Sequence, residues 1–468
     1  MLRFSITFAS AISCALLSLR AAPAKPNIIV LITDDAGYVD FGCYGGAQIP
    51  TPQIDSIARD GVRITQGYVS ASVCCPSRAG LLTGRYQQRF GHEFNGFAIP
   101  QPGFGPEDMG LDPDETTIAE ALKPLGYRTM IVGKWHMGTH ERFHPKHHGF
   151  DEFYGIKGGS RSYFGVSKKR VSENWKLYRN DEVIPESEIT YLTDMLTFAA
   201  VDYVERNQER PFFLYLSYTA VHGPMHGKPE DIEHFGGIAD KKRRTFAAMD
   251  KALDEGVGRL LQTLKTTGLE RDTLLFFIND NGGATSNGSD NGPLRGMKGS
   301  KWEGGIRVPF MVKWPARLKG NRTFDKPVIS LDIQATAIAA AGGEPDRQPK
   351  RLDGVNLIPF LTGKNPKAPH NALFWRRGVA AAVRQGPWKL IRSETNPPIL
   401  VNLDDDLGET RNLASGKPRI VERLSGLLSA WEKGLAPPKW REGERWSQNQ
   451  IQKHRMDVIG RDAERKLP

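Results

Sequence analysis

Residues 72–84 place a thiol where it could act as a nucleophile. The segment reads Ser-Val-Cys-Cys-Pro-Ser-Arg-Ala-Gly-Leu-Leu-Thr-Gly, with Cys74 two positions before Pro76 and four before Arg78. Because proline is favoured in the first turn of a helix, we expect Cys74 to lie just before a helix that Pro76 starts. The helix dipole and Arg78 would favour negative charge there, as in a low-pKa nucleophilic cysteine. The alternative is a buried structural pair of Cys74 and Cys75 in a loop.

Two predicted strands end in side chains that carry oxygen ligands. The apolar run 27–33 is followed by Asp34 and Asp35, and a second apolar run leads into Asp280 and Asn281. Adjacent carboxylates at the end of a buried strand are costly unless a cation neutralises them. Such strand ends are also where open α/β sheets place their sites. Oxygen ligands suit Ca²⁺ or Mg²⁺ and argue against zinc, whereas the alternative is a solvated turn that begins at Asp34.

Basic side chains follow other predicted strands. Lys134 and His136 lie two positions apart, so extended backbone would project both to one side. His222 comes just after an apolar strand, and its ordinary pKa suits a general acid or base. Lys298 lies in a glycine-rich loop. His226 has weaker support and could line the pocket or face water, and each of these residues could also belong to a solvated loop.

Positioning these residues requires a large sheet with helices on both faces. Apolar runs at 27–33, 127–132, 211–218, 273–278 and 306–312 are typical of buried, mostly parallel strands. Helices are predicted at 51–61, 191–207 and 240–267, and residues 117–120 form a capping box. From about residue 352, four short strands and a helix at 418–432 indicate a small antiparallel α+β subdomain. The predicted fold class is therefore α/β with this subdomain at its C-terminal end.

Taken together, the motifs resemble those of the type I sulfatases, in the alkaline-phosphatase-like superfamily. The resemblance covers residues 25–413 and includes the Cys74 motif, the carboxylate pairs and the Glu-Gly-Gly-Ile-Arg-Val-Pro segment behind Lys298. Trp388-Lys-Leu and Glu409-Thr-Arg-Asn-Leu resemble the small subdomain of the family. One departure is Met297, where many members have glycine.

The resemblance implies a cofactor set and a role for each site residue. Cys74 would be converted to Cα-formylglycine by a maturase, and Ca²⁺, more than Mg²⁺, would be held by Asp34, Asp35, residue 74, Asp280 and Asn281. A hydroxyl of the formylglycine hydrate would attack sulfur, and His136 would remove a proton from the other hydroxyl to release sulfate. The remaining roles are oxyanion stabilisation by Arg78 and Lys134, and sulfate binding and leaving-group protonation by His222 and Lys298. Lys134 would also contact substrate.

The N-terminus is typical of an exported protein. Arg3 precedes an apolar run, and Ala22-Pro23-Ala24 is a cleavage pattern, so residues 1–24 are predicted to be a signal peptide that is too short to span a membrane. Export is favoured over a lipoprotein anchor at Cys14. The remaining divisions are a catalytic domain at 25–350, the subdomain at 351–436 and a charged, poorly ordered tail at 437–468.

Composition excludes several classes of protein. With 39% hydrophobic and 25% charged residues, the 468-residue chain is typical of soluble globular proteins. The net charge of +10 falls to +8 without residues 1–24, a balance that suits polyanionic substrates, and no nucleic-acid-binding module is present. Removing the signal peptide leaves Cys43, Cys74 and Cys75, an odd number that excludes a disulfide scaffold. Cys43 and Cys75 could pair or stay as thiols.

The predicted function is hydrolysis of sulfate monoesters of a sulfated polysaccharide or oligosaccharide outside the cytoplasm. Two alternatives remain at this stage: a phosphonate or phosphodiester hydrolase of the same superfamily, and a non-catalytic relative that binds sulfated glycans. Candidate specificity regions are 84–106, with Arg89, His92 and Glu93, the stretch 144–164, and His226. None of these regions is assigned a role by the family motifs.

Overall fold

The computed structural model describes residues 25–96, 103–167 and 172–457. The proposed signal peptide and Cys14 lie outside these residues. Within them the strands are β1 (Asn27–Thr33), β2 (Val62–Ile64), β3 (Gly67–Tyr68), β4 (Arg128–Lys134), β5 (Glu152–Ile156), β6 (Leu177–Arg179), β7 (Glu182–Val183), β8 (Phe212–Ser217), β9 (Thr273–Asn279), β10 (Phe310–Lys313), β11 (Arg322–Phe324), β12 (Val328–Ile329), β13 (Leu373–Arg377), β14 (Ala380–Gln385), β15 (Trp388–Ser393) and β16 (Ile399–Asn402).

The helices lie between these strands and at the C-terminal end. They are α1 (Pro52–Arg59), α2 (Cys74–Thr83), α3 (Ile118–Leu122), α4 (Leu192–Arg206), α5 (Pro229–His234), α6 (Lys241–Thr266), α7 (Glu303–Ile306), α8 (Asp332–Ala340), α9 (Ile358–Leu361), α10 (Pro418–Glu432) and α11 (Glu444–Lys453). The capping box before α3 is present, because the Thr117 hydroxyl accepts from the Glu120 N–H and the Glu120 carboxylate accepts from the Thr117 N–H.

Ten strands form one mixed sheet in the order β11-β2-β10-β9-β1-β8-β4-β5-β6-β7. The strands from β9 to β5 are parallel neighbours, whereas β10, β6 and β7 pair antiparallel with their neighbours. This order places the carboxyl ends of β9, β1, β8 and β4 side by side. The predicted α/β class with a mostly parallel sheet is confirmed.

Helices cover both faces of the sheet, as the apolar pattern of β1 requires. All seven residues of β1 are buried. Ile29 and Leu31 face one core with α4 and α6, whereas Ile28, Val30 and Ile32 face the other with α2, α3 and α8. Because neighbouring side chains of a strand point to opposite faces, only a continuous apolar run can fill two cores.

The C-terminal part of the chain forms the expected smaller sheet. Strands β13, β14, β15 and β16 pair antiparallel in chain order, and α10 packs against them through Leu424, Leu428 and Trp431. The strand order confirms the prediction of an antiparallel α+β unit. A buried lysine, Lys389, joins this sheet to the rest of the chain, since its Nζ lies 2.8 Å from Glu303 Oε1 and 2.9 Å from Glu409 Oε1.

Three local expectations differ from the structure. The strand expected over residues 306–312 is shorter, because α7 continues to Ile306 and β10 begins at Phe310. Helix α2 begins at Cys74 itself, so Pro76 is its third residue and not its first. The segment after Pro437, expected to be poorly ordered, contains α11, whose last residue, Lys453, accepts a hydrogen bond at its carbonyl from Trp302 Nε1. No helix in the described ranges is long and apolar enough to cross a membrane.

Candidate active site

The carboxyl ends of the central strands carry the carboxylates that the sequence predicted to lie together. Asp34 and Asp35 follow β1, and Asp280 and Asn281 follow β9, the adjacent strand. The N–H of Asp35 donates to Asp280 Oδ1 over 3.3 Å, and Asn281 Nδ2 donates to Asp35 Oδ1 over 2.8 Å. All four side chains are buried. Strand pairing therefore brings two distant parts of the chain into one cluster.

Cys74 lies at the start of α2, directly beside this cluster. Its Sγ is 3.7 Å from Asp34 Oδ1 and 3.1 Å from Lys298 Nζ, and the residue is 1% exposed. Burial and the negative charge of Asp280 raise the pKa of the thiol to about 12. The helix terminus and the nearby cations favour a thiolate, but desolvation outweighs them in the unmodified residue. An unmodified Cys74 would be a neutral thiol.

Arg78, one turn along α2, is fully buried beneath the cluster. Its Nε and Nη2 donate to Asp280 Oδ2 over 3.0 and 2.8 Å, and Nη2 lies 3.6 Å from Asp34 Oδ2. The Ser217 hydroxyl, at the end of β8, accepts from Nη1 and in turn donates to the carbonyl oxygen of Lys134 over 2.7 Å. The sequence did not predict a role for Ser217, because it belongs to no recognised motif. In the structure its hydroxyl links Arg78 to the last residue of β4.

Two lysines contact the paired carboxylates that follow β1. Lys134 Nζ is 2.6 Å from Asp34 Oδ2, and Lys298 Nζ is 2.6 Å from Asp35 Oδ1. Burial would raise the pKa of Asp34, but the charges of Lys134, His222 and Arg78 outweigh it and hold that pKa well below its usual range. For Lys298, the neighbouring carboxylates outweigh burial and raise its pKa well above the ordinary value. Asp34 is therefore an anion and Lys298 a cation.

His222 and His136 reach the cluster by different routes. His222 Nδ1 donates to the Gly223 carbonyl over 2.6 Å, which leaves Nε2 facing Asp35 Oδ2 at 3.5 Å. His136 departs from the expected extended geometry, because β4 ends at Lys134 and the φ of His136 is 59°. Burial and the charges of Lys134 and Arg78 lower its pKa well below the ordinary value. His136 is therefore a neutral imidazole, and its Nδ1 has no hydrogen-bond partner among the described residues.

The cluster has the chemistry of a divalent-cation site. One ligand atom each from Asp34, Asp35, Cys74 and His222 lies within 4.8 Å of the others. The Oδ1 atom of Asn281 is buried and has no hydrogen-bond partner among the described residues. Burial and the charge of Asp34 raise the pKa of Asp280 to about 6, a sign of crowded carboxylates. A hard cation would satisfy the orphaned oxygen and relieve this repulsion, so the residues present fit Ca²⁺ or Mg²⁺.

Other candidate residues from the sequence have structural partners instead. Arg89 forms an ion pair of 2.7 Å with Asp353, and Glu93 one of 2.8 Å with Arg376. His92 Nε2 lies 2.9 Å from Cys75 Sγ, and His226 Nδ1 lies 3.3 Å from Ser162 Oγ. The described cysteines, Cys43, Cys74 and Cys75, are all free thiols, so Cys43 and Cys75 do not pair.

The cluster opens into a cleft of about 720 Å³. Its lining includes Asp35, His222 and Lys298 together with residues of the C-terminal segment. Asn287, which sequence reasoning missed, also lines the cleft and donates from Nδ2 to Asp35 Oδ2 over 3.4 Å. The arrangement can therefore bind a small anionic group beside Lys298 and His222 and a larger molecule in the rest of the cleft.

Comparison with known proteins identifies the family. A family model described as Sulfatase matches residues 26–343, about two thirds of the chain. The chain belongs to the sulfatase family. Sulfatases are sulfuric ester hydrolases, and the confirmed membership agrees with the resemblance that the sequence motifs gave.

Curated relatives and a solved structure extend over most of this sulfatase. Steryl-sulfatase of Mus musculus is 29% identical, covering 87% of this chain and 82% of the relative. N-acetylgalactosamine-6-sulfatase of Canis lupus familiaris is 33% identical, covering 81% and 74%. The crystal structure of Ps i-CgsB is 35% identical and superposes with a TM-score of 0.82, covering 90% of this chain and 95% of that one, and it was also solved with k-i-k-neocarrahexaose.

Proposed function

We propose that this sulfatase hydrolyses sulfate monoesters of a sulfated carbohydrate, with Cys74 in its Cα-formylglycine form and Ca²⁺ as the metal. The observation that carries the proposal is the convergence of Arg78, Lys134 and Lys298 on Cys74 and its carboxylates at the floor of an open cleft. A sulfate ester repels nucleophiles through its oxygens. Buried cations fixed around the group stabilise the charge that develops on them during attack.

Relatives support a carbohydrate as the rest of the substrate. One curated relative is named for N-acetylgalactosamine 6-sulfate, and Ps i-CgsB was solved with a neocarrahexaose. The name of the mouse relative points to a steryl sulfate instead. The cleft supports a carbohydrate, because its lining carries Arg377, Arg441, Lys453 and Lys298 against only two carboxylates, Asp35 and Glu442. This net positive charge suits a polyanionic chain better than a steroid.

The site residues would hold both groups that the chemistry needs. Asp34, Asp35, Asp280, Asn281 and residue 74 would bind the divalent cation, which supplies Lewis-acid polarisation of the sulfate oxygens. The formylglycine hydrate supplies an oxygen nucleophile that the thiol of Cys74, with a pKa near 12, does not offer at neutral pH.

The remaining residues bind sulfate and move protons. Arg78 and Lys134 neutralise charge next to residue 74 from within the protein. His222 Nε2 and Lys298 Nζ face the cleft side of Asp35, where they would contact the sulfate. The leaving alcohol would take its proton from the ammonium group of Lys298 or from the doubly protonated ring of His222. His136, held neutral by burial, would accept a proton from a hydroxyl of residue 74. Sugar alcohols are poor leaving groups, so the proton delivered from the cleft side matters most for them.

We also propose that the protein is exported and matured by a separate enzyme. Residues 1–24 would be removed as a signal peptide, and a formylglycine-generating maturase would act on Cys74. N-terminal sequencing of protein secreted from an expressing cell tests the first step. A mature chain that starts at Lys25 is expected, and a retained Met1 would contradict export through this segment.

Mass spectrometry of the peptide covering residues 72–78 tests the nucleophile. Protein produced with a maturase should show sulfur replaced by oxygen and two hydrogens lost at Cys74. The same preparation should release sulfate from carrageenan oligosaccharides or N-acetylgalactosamine 6-sulfate, and should hydrolyse 4-nitrophenyl sulfate faster than bis(4-nitrophenyl) phosphate. A preference for the phosphodiester would favour the alternative hydrolase of the same superfamily. Unmodified Cys74 beside a matured control sulfatase would overturn the mechanism.

A further inference from the structure

The cleft above Cys74 has a second wall that takes no part in the sulfate chemistry. This wall is formed by α11 and by Arg441 just before it, and it lies in the same cleft as Lys298 and His222. Sequence motifs give no role to α11, which falls in the charged tail. The part of the substrate beyond the sulfate group would therefore contact this wall.

The side chains of the wall suit a sugar ring. Trp446 is 44% exposed, which makes it one of the three most exposed large hydrophobic residues in the described part of the chain. Asn449 and Gln450 line the cleft beside it. Gln450 is 1% exposed, yet its Oε1 atom has no hydrogen-bond partner among the described residues. An aromatic face next to amide groups can pack against ring C–H groups while it hydrogen-bonds hydroxyls.

The wall is fixed by hydrogen bonds to the loop that carries Lys298. Lys453 Nζ donates to the carbonyl of Lys298 over 2.9 Å, and Trp302 Nε1 donates to the carbonyl of Lys453 over 2.7 Å. The N–H of Lys301 donates to His454 Nε2 over 2.8 Å. Since these bonds hold α11 against the loop that carries Lys298, the distance between the wall and the reacting group is set by the fold. A rigid wall of this kind costs little ordering entropy when a ligand binds.

The charge of the wall favours an anionic partner. Arg441 is exposed at the cleft and Arg377 lies beneath it, paired with Glu442 through Nη2 at 2.7 Å. The Nε atom of Arg377 has no partner among the described residues. A guanidinium group can donate two parallel hydrogen bonds to a pair of oxygens on a sulfate or carboxylate group. One such group on the sugar chain would fit here, beyond the ester that is hydrolysed.

We propose that α11 and Arg441 form a binding subsite for the sugar unit next to the one that carries the scissile sulfate. Trp446 packs against the ring, Asn449 and Gln450 bond its hydroxyls, and Arg441 pairs with a second anionic group of the chain. This inference rests on the proposed function only in taking a sulfated carbohydrate as the ligand. The preferred substrate is thus an oligosaccharide with more than one anionic group, not a monosaccharide sulfate.

Binding to a protein that cannot turn over substrate tests the subsite apart from catalysis. In a Cys74→Ala background, calorimetry would measure the Kd of k-i-k-neocarrahexaose and of a chondroitin 6-sulfate hexasaccharide, each against its monosaccharide sulfate. The parent should bind at least one hexasaccharide about tenfold more tightly than the monosaccharide, a difference of about 1.4 kcal/mol. Trp446→Ala and Arg441→Gln should each remove most of that preference. Phe198→Ala, which truncates an exposed aromatic residue on α4, is the matched control and should keep it.

The outcomes separate the two proposals. Equal affinity of the parent for hexasaccharides and monosaccharides, or an unchanged preference in Trp446→Ala, would overturn the subsite while leaving sulfate hydrolysis intact. Absence of sulfatase activity in the matured wild type would overturn the proposed function, yet the binding measurement would still decide the subsite. In matured enzyme, Trp446→Ala should lower the ratio of kcat/KM for the hexasaccharide to that for 4-nitrophenyl sulfate about tenfold, mainly through KM.

Discussion

The ammonium group of Lys298 lies 3.1 Å from the sulfur of Cys74, although 224 positions separate the two residues in the chain. The same ammonium group contacts Asp35 at 2.6 Å. One cation therefore bridges the residue that would attack and a carboxylate that would hold the metal. A sulfate group bound beside Lys298 would contact positive charge before the attack begins. Attack on an anionic ester requires such a charge nearby.

Replacing Cys74 should abolish activity without unfolding the protein. Cys74→Ala removes one small buried atom, which costs about 1 kcal/mol of stability on the scale of large-to-small core changes. Sulfate release should fall at least about a thousandfold, because no side-chain oxygen can then be formed at this position. Cys75→Ala is the matched control, since Cys75 contacts His92 and not the carboxylates. Comparable inactivation of both variants would contradict a special role for Cys74.

Removing Arg78 should destabilise the protein as well as inactivate it. Arg78→Ala leaves Asp280 buried without its 2.8 Å partner, and breaking a buried pair costs about 3–5 kcal/mol. Urea unfolding measures this loss. The exposed Arg206 pairs with Asp202 at 2.8 Å, so Arg206→Ala is the control and should cost about 1 kcal/mol or less. A similar loss in both variants would show that Asp280 is compensated in another way.

Metal removal should lower both activity and thermal stability. Chelation leaves the carboxylates of Asp34, Asp35 and Asp280 close together without a cation. An ion present at 100 times its Kd contributes about 2.7 kcal/mol to the free energy of unfolding, so the Tm of the chelated protein should fall by several degrees. Added Ca²⁺ should restore both quantities better than Zn²⁺ does. In Asn281→Ala the effect of Ca²⁺ on Tm should shrink, whereas the exposed Asp202→Asn should keep it. A Tm that does not respond to chelator or Ca²⁺ would exclude a resident ion.

The role proposed for His222 predicts a dependence on the leaving group. His222→Ala should reduce kcat/KM about a hundredfold or more for a sugar sulfate, the usual scale of general acid catalysis. The loss should be much smaller for 4-nitrophenyl sulfate, because nitrophenolate leaves without a proton. Steady-state rates on both esters measure the difference. Equal losses on the two substrates would assign His222 to sulfate binding alone.

Buried histidines should make the fold sensitive to acid. Burial lowers the pKa of His148 to about 4, and neither of its ring nitrogens has a partner among the described residues. The unfolded chain, with the ordinary pKa of 6.5, binds this proton more readily, so stability is lost as the pH falls from about 6.5 to 4. His148→Phe should flatten the pH dependence of urea unfolding in this window. An unchanged slope would show that His148 does not contribute.

Much of the fold follows from local patterns in the sequence. The run 27–33 coincides with β1, and the helix expected at 240–267 is α6, Lys241–Thr266. These elements are long and their apolar residues follow a clear pattern, so tertiary contacts do not change the secondary structure that the local sequence favours. The segment 306–312 is shorter and its apolar residues show no clear periodicity. The sequence therefore did not distinguish the end of helix α7 from the start of strand β10. Elements of a few residues take their form from their neighbours.

Only the site residues that lie at strand ends or in recognisable motifs could be predicted from the sequence. The carboxylates after β1 and β9 meet because parallel strands share an edge, which the residue types anticipate. The pKa of Cys74 was not predictable, since it depends on burial that many distant residues create together. Ser217 and α11 were also missed. Ser217 is linked to Lys134 through one hydroxyl, and α11 contacts the loop that carries Lys298 from more than 140 positions away.

The burial of Cys74 bears on when this residue can be modified. Asp34 and Lys298, which are far from Cys74 in the sequence, lie against its sulfur, so the thiol is enclosed only once the chain has folded. Cys74 is 1% exposed in the folded protein, so an enzyme that modifies it would have to act before folding is complete. Oxidation of this thiol would then compete with folding. A chain that folds before it meets its maturase would be well folded and permanently inactive.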